Sequence, residues 1–265
     1  MSTTLKSTFK RFIPALCVLT AAALLPMSAA HAQWKYGIGT GISAQKAKGT
    51  QGFTTLAGPA EFDVDLAPSD FQEMAKSALG FGGYATNGTW MVQYSLGYQE
   101  LEDNASTPVG ASTVTTKVNF KISGGEATLG YLIHKSPSVA VYLDGGVRYT
   151  KHELDSAITV TGAINAQRTR QFSHDWTDLV IGTTISVPLS QQWMWTTRLN
   201  AAGGGSDGTY LAQTGANYAI NKNWTVGVVG KYMKVKFEDG NRGEPDWYLY
   251  DADESSVGLS VLYNF

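Results

Sequence analysis

Seven charged residues fall on one side of alternating segments spread through the chain: Lys35, Glu126, Asp144, Arg148, Asp178, Arg198 and Lys231. Three acids against four bases is close to balance, which suits compensating pairs better than a one-signed binding patch. Counted from the nearest short turn, Glu126, Asp144, Arg198 and Lys231 stand at similar height, so they can pair across any space the segments enclose. Such a set can fill a narrow interior as an ion-pair network, or line a passage that selects small polar solutes. A second group, Glu238, Asp239, Glu244, Asp246, Asp251, Asp253 and Glu254, has Arg242 as its only base. Its oxygens are of the type that binds Ca²⁺ or Mg²⁺. The spacing matches no calcium-loop signature, however, and the stretch reads as a solvated acidic loop. No residue is assigned to a metal, a cofactor or catalysis, and no basic stripe points to nucleic acid.

Extended segments must position these residues. In Ser255–Phe265, Val257, Leu259, Val261, Tyr263 and Phe265 point one way, while Ser256, Gly258, Ser260, Leu262 and Asn264 point the other, because strand side chains alternate between faces. One face is apolar and the other small and mostly polar, and the pattern recurs back to Trp34. Ten strands follow: Trp34–Gln45, Leu79–Ala85, Trp90–Leu101, Val114–Ile133, Val139–His152, one ending at Val187-Pro188-Leu189, Trp193–Ala202, Thr209–Ile220, one from Trp224, and Ser255–Phe265. Short turns fall near Asn87, Ser136, Gln191 and Lys222, with Asn87-Gly88 of the tight-hairpin type. In the fourth strand the apolar parity changes from Val118, Phe120 and Ile122 to Ala127, Leu129, Tyr131 and Ile133, which predicts a β-bulge at Ser123-Gly124-Gly125. Trp34, Trp90, Trp193 and Trp224 each open a strand at the same end and form an expected aromatic girdle, with Trp247, Tyr248 and Tyr250 as its counterpart at the other end. The long loop Ala47–Ala78 contains Ser69-Asp70-Phe71-Gln72 after Pro68, a capping-box pattern ahead of helically spaced Phe71, Met74, Ala75 and Ala78. That predicts a short helix which covers the mouth, plugs the lumen or folds on the rim.

Residues 1–32 read as a secretory signal: Lys6, Lys10 and Arg11, an apolar run from Phe12 to Leu25, and Ala30-His31-Ala32 before Gln33. Cleavage there removes Cys17, the sole cysteine, and three bases. The 20 Lys+Arg then become 17 against 22 Asp+Glu, and the net charge moves from −2 to −5. The remaining chain, 33–265, has no apolar run of about 18 residues and so no spanning helix. A lipocalin-like barrel or β-sandwich would bury the apolar set, but the inward sets here, Gly, Ser, Thr and a few charges, cannot fill a hydrophobic core.

The terminal strand ending on Tyr263 and Phe265, with the two-faced repeat behind it, resembles the small bacterial outer-membrane β-barrel proteins. The resemblance implies an all-β, closed, antiparallel, up-and-down transmembrane barrel of ten strands, with eight as the alternative even count. It also implies Gram-negative outer-membrane localisation, termini and short turns on the periplasmic side, and surrounding lipid and lipopolysaccharide. The barrel-assembly machinery would read Tyr263 and Phe265. The role expected is that of a monomeric, non-enzymatic, porin-like protein that is structural or passes small solutes. Two other classes stay open. One is a hydrolase: His134-Lys135-Ser136 is similar to the His-x-Ser pair of lipid A deacylases, and Asp63, Asp65, His174 and Asp178 offer the residue types of omptin-like proteases. The other is an adhesion or binding protein acting through its longer loops.

Overall fold

The computed structural model describes residues 34–55, 58–162 and 165–265; the expected signal segment, with Cys17 and the cleavage site, lies outside them. Eleven strands and one helix follow in order: β1 Lys35–Thr55, β2 Gly58–Leu66, α1 Pro68–Met74, β3 Ala75–Thr86, β4 Trp90–Val109, β5 Ser112–Lys135, β6 Ala140–Thr161, β7 Ala166–Pro188, β8 Trp193–Gly203, β9 Gly208–Ala219, β10 Trp224–Asp239 and β11 Tyr248–Asn264. Every paired neighbour is antiparallel, and the sheet returns on itself because β1 pairs with β11 along Gly37–Phe53. On its other side β1 pairs with β3 over Lys35–Thr40 and with β2 over Ala47–Thr55.

The extra strand corrects the reading of 47–78 as a loop. In β2, Ala60, Phe62, Val64 and Leu66 alternate with Glu61, Asp63 and Asp65, a period-two pattern that folds back on the upper part of β1. The helix is present, although its cap is Ala67 rather than Ser69: Asp70 Oδ2 accepts the Ala67 N–H at 2.7 Å. The four short turns share one device, a side-chain oxygen that takes up free backbone N–H groups. Asn87, Ser136, Ser190 and Asn221 each cap in this way.

Strands of 20 to 24 residues exceed the roughly 9–11 that cross a bilayer, so their upper parts continue beyond it. Outward side chains record the boundary. They are mainly apolar, with a few threonines such as Thr197 and Thr214, from the Trp90, Trp193 and Trp224 level, through Ile42 (77 % exposed) and Leu259 (58 % exposed), up to Tyr149 and Tyr232. One step further they become Lys46 and Lys48 on β1, Glu100 and Glu102 on β4, Lys121 on β5, Lys151 and Glu153 on β6, and Lys234 on β10. The inner face changes in the opposite sense, from polar to apolar. This exchange, rather than a bulge, explains the parity change in β5. Pairing of β5 with β4 and β6 runs unbroken through Ser123-Gly124-Gly125, and the only β5 irregularity falls between Leu132 and His134. Phe120 and Ile122, expected to face lipid, are therefore inside, where Phe120 packs edge-on against His152.

Above the apolar band the wall divides. The β8–β9 hairpin is short, and its pairing with β7 stops at Leu179–Gly203; β3 pairs with β4 only as far as Leu101. Two four-stranded sheets rise from the band, β4-β5-β6-β7 and β10-β11-β1-β2. Their inner faces meet: Phe53 packs on Phe172, and Trp176 stacks on Phe237 with centroids 4.1 Å apart. The main apolar cluster, Trp176, Val235, Phe237, Tyr248, Tyr250 and Ala252, lies in this upper part. Trp247, Tyr248 and Tyr250 are thus buried (1, 1 and 5 % exposed) and form no outer girdle; Tyr149 and Tyr232 hold that position.

Leu259→Arg, on the outer face within the band, should lower stability by about 2–4 kcal/mol. Leu154→Ala, inside and above the band, should lower it by about 2–5 kcal/mol. Denaturant unfolding of the refolded protein measures both, and a Leu154→Ala loss below about 0.5 kcal/mol would show that the upper sheets are not packed.

Candidate functional site

The enclosed interior is the site, and it has two levels. At the lower level the ladder places Glu126 of β5 opposite Arg148 of β6, and the closing of the ring brings Arg198 of β8 toward the same carboxylate. Arg148 Nε donates to Glu126 Oε2 at 2.7 Å, and Arg198 Nη2 pairs with Glu126 Oε1. Arg148 Nη2 also donates to Asn200 Oδ1 at 3.0 Å, and Arg198 Nη2 to Thr128 Oγ1 at 3.2 Å. Two guanidiniums thus share one carboxylate. Both side chains of the Glu126–Arg148 pair are 8 % exposed, so water screens them little. Asp144 stands beside them and accepts the Thr184 hydroxyl at 2.6 Å. Asp144 Oδ1, Arg148 Nη1, Arg198 Nε and Asn200 Nδ2 have no hydrogen-bond partner among the protein atoms, which makes this the least satisfied part of the interior.

The other predicted members lie elsewhere. Asp178, opposite Arg148 in the register, ties down the β8–β9 turn instead: it accepts the backbone N–H of Gly205 (3.0 Å) and Ser206 (2.7 Å) and the Ser206 hydroxyl (2.8 Å). A buried carboxylate saturated by three donors in this way needs no cation. Lys35 is exposed beside the turn end, opposite Thr86, and Lys231 stands opposite Gln213 and Ser256. Neither forms an ion pair among the described residues.

The upper level went unanticipated. His152 of β6 is 4 % exposed, and its Nδ1 lies 2.9 Å from the Tyr248 hydroxyl of the facing sheet. The rings of Phe120, Trp176, Tyr248 and Tyr250 meet it edge-on. His174 stacks on Tyr248 with centroids 4.6 Å apart, and its Nδ1 lies 3.5 Å from Asp239 Oδ2. The signal was present in Lys151-His152-Glu153-Leu154-Asp155, whose charged residues all take the outward parity.

Of the hydrolytic candidates, Asp63 and Asp65 lie apart from His174. Asp63 and Asp65 pair with Thr50 and Lys48 on the outer parity of β1, whereas His174 is inside. Ser136 Oγ accepts the N–H groups of Ser138 and Val139 in a turn at the end where Phe265 N–H meets Tyr36 O. The acidic stretch is spread out as well: Glu238 accepts the Trp247 indole N–H, Glu244 contacts Asn241, and Glu254 accepts the Tyr250 hydroxyl. Arg242 reaches Glu61 at 3.1 Å. Among the described residues no group of three or more His, Cys, Asp or Glu side chains is placed to hold a metal ion.

The family described as outer membrane protein beta-barrel domain matches residues 15–265. No curated protein sequence matches the chain. The outer membrane protease OmpT from Escherichia coli superposes with a TM-score of 0.56 at 10 % identity, over 88 % of this chain and 96 % of that one; at this identity the likeness is one of fold. The translocator domain of the autotransporter NalP from Neisseria meningitidis gives 0.44 at 14 % identity, covering 92 and 93 %. Ail, the attachment invasion locus protein of Yersinia pestis, gives 0.31 at 12 %, covering 87 and 98 %.

Because Glu126 serves two arginines, its loss should cost more than the loss of either partner. Glu126→Leu leaves both guanidiniums buried without a carboxylate and should destabilise by about 3–5 kcal/mol. Arg198→Leu leaves Glu126 still held by Arg148 and should cost about 1–3 kcal/mol. Equilibrium unfolding of the two variants gives the order, and the reverse order would contradict a shared carboxylate.

Proposed function

The chain belongs to the outer membrane protein β-barrel domain family and resides in the bacterial outer membrane, and we propose that within it the protein is a closed, non-enzymatic barrel with a structural role. In this reading β1 and β3 to β11 form a ten-stranded wall across the membrane, an even count, and β2 stands above it on the outer side. The termini and the four short turns face the periplasm, and the assembly machinery reads Tyr263 and Phe265. The barrel works as a monomer surrounded by lipid and lipopolysaccharide.

The observation that carries the reading is the stacking of two fillings along one axis. Glu126, Arg148 and Arg198 bridge the interior at mid-height, and the aromatic cluster around Tyr248 joins the two sheets above them. A small solute would have to break a poorly screened ion-pair network and then part a packed apolar interface, each of which opposes passage by several kcal/mol. Against an enzyme stands the separation of the candidate residues: Asp63 and Asp65 on the outer face, His174 on the inner. Binding through the upper sheets is the second reading, favoured by the extension of β4–β7 well beyond the apolar band.

Conductance in a planar bilayer tests the proposal. Refolded protein should give no steady ohmic current at neutral pH, and Glu126→Leu should raise brief openings without producing a wide pore. A stable current in the unsubstituted protein would instead favour passage of small solutes.

A further inference from the structure

We infer that His152 and Tyr248 form an acid-sensitive clasp between the two upper sheets, so that acidification releases the β4–β7 sheet from the β10-β11-β1-β2 sheet while the band below stays closed. The inference deepens the reading of a barrel closed from above and rests on it.

The geometry is a cross-sheet contact with one titratable centre. Gln51 Nε2 of β1 donates to the Tyr248 oxygen at 3.2 Å, which directs the tyrosine proton toward His152 Nδ1, 2.9 Å away. In that arrangement Nδ1 is the acceptor of a neutral imidazole. A proton on Nδ1 ends that arrangement and places a charge among aromatic rings. The groups facing His152 offer nothing to balance it. From β5 comes Phe120, from β7 Trp176 and His174, and from β11 Tyr248 and Tyr250. On its own strand Arg148 is already held by Glu126, while Lys151 and Glu153 pair with each other on the outer face. The carboxylates that contact its neighbours are engaged, Glu254 by the Tyr250 hydroxyl and Asp239 by His174. Burial, with the nearby His174, holds the His152 imidazole down to about 3, against 6.5 ordinarily.

The sign follows from that depression. The closed state binds no proton at His152 until the pH approaches 3, whereas an opened state takes one up below about 6.5. The clasp is therefore at full strength above 6.5 and weakens progressively as the pH falls from 6.5 toward 3. Between pH 7.5 and 5 this linkage favours opening by about 30-fold.

Hydrogen-exchange protection factors of the full refolded barrel in detergent micelles test this, since they cancel the intrinsic pH dependence of exchange. Protection of Tyr248–Ala252 and Phe172–Trp176 should fall about 30-fold from pH 7.5 to 5 in the unsubstituted protein. In His152→Phe it should fall less than about threefold. Amides of Val226 and Val228 should stay protected throughout. If His152→Phe does not refold, His152→Gln makes the same comparison. An equal loss with and without His152 overturns the clasp, as does a loss that extends to Val226 and Val228. Exchange reads the clasp whether or not the barrel conducts at neutral pH, so failure of the clasp and failure of the closed-barrel reading are distinguishable.

Discussion

The antiparallel ladder fixes which face each strand side chain takes, and the rest of the structure depends on that constraint. Neighbouring strands take up peptide groups at the level of the band because an unpaired one in hydrocarbon costs several kcal/mol, although β1 meets β3 only over Lys35–Thr40 and pairs with β11 alone along Gly41–Lys46. Where the ladder is continuous, parity cannot change without a bulge. The surroundings of the wall do change, from lipid to water, as the strands climb. The sequence meets this by exchanging the polarity of the two parities at one level: Leu129 and Ala127 give way to Lys121 and Asn119 outside, while Glu126 and Thr128 give way to Ile122 and Phe120 inside.

That exchange produces two interiors of different physics. In the band the outside is solvated by lipid, so apolar burial contributes little and the interior can hold Glu126, Arg148, Arg198 and Asp144 in a poorly screened space. Above the band the hydrophobic effect returns, and the facing sheets bury Trp176, Phe237, Tyr248 and Tyr250 much as a soluble β-sandwich would. The lower level sets geometry through ion pairs that are costly to break singly. The upper level supplies the packing. His152 sits on the second level, a titratable group among the buried aromatic rings.

Most of the strand pattern, the turn positions and the lipid face of β11 were legible in the sequence, because period-two alternation and short turns are local signals. Three features were not. β2 alternates as clearly as any strand, but it lies inside a stretch whose length and helical signal suggested a loop. The parity of Val118, Phe120 and Ile122 was misread because an apolar residue faces lipid at one height and the core at another, and height is not a local property. Asp178 was expected among charges, but the Gly205-Ser206 turn that claims it folds back only in three dimensions.

A single-cysteine scan of β5 from Lys117 to Leu129, in a background without Cys17, tests the inside-out exchange most directly. With the folded protein in lipid bilayers and a membrane-impermeant thiol reagent, cysteines at 117, 119 and 121 should label, those at 118, 120 and 122 should not, and those at 127 and 129 should be shielded by lipid. Labelling that instead favours 118, 120 and 122 would place a bulge at Ser123–Gly125 and contradict the continuous register on which the whole account stands.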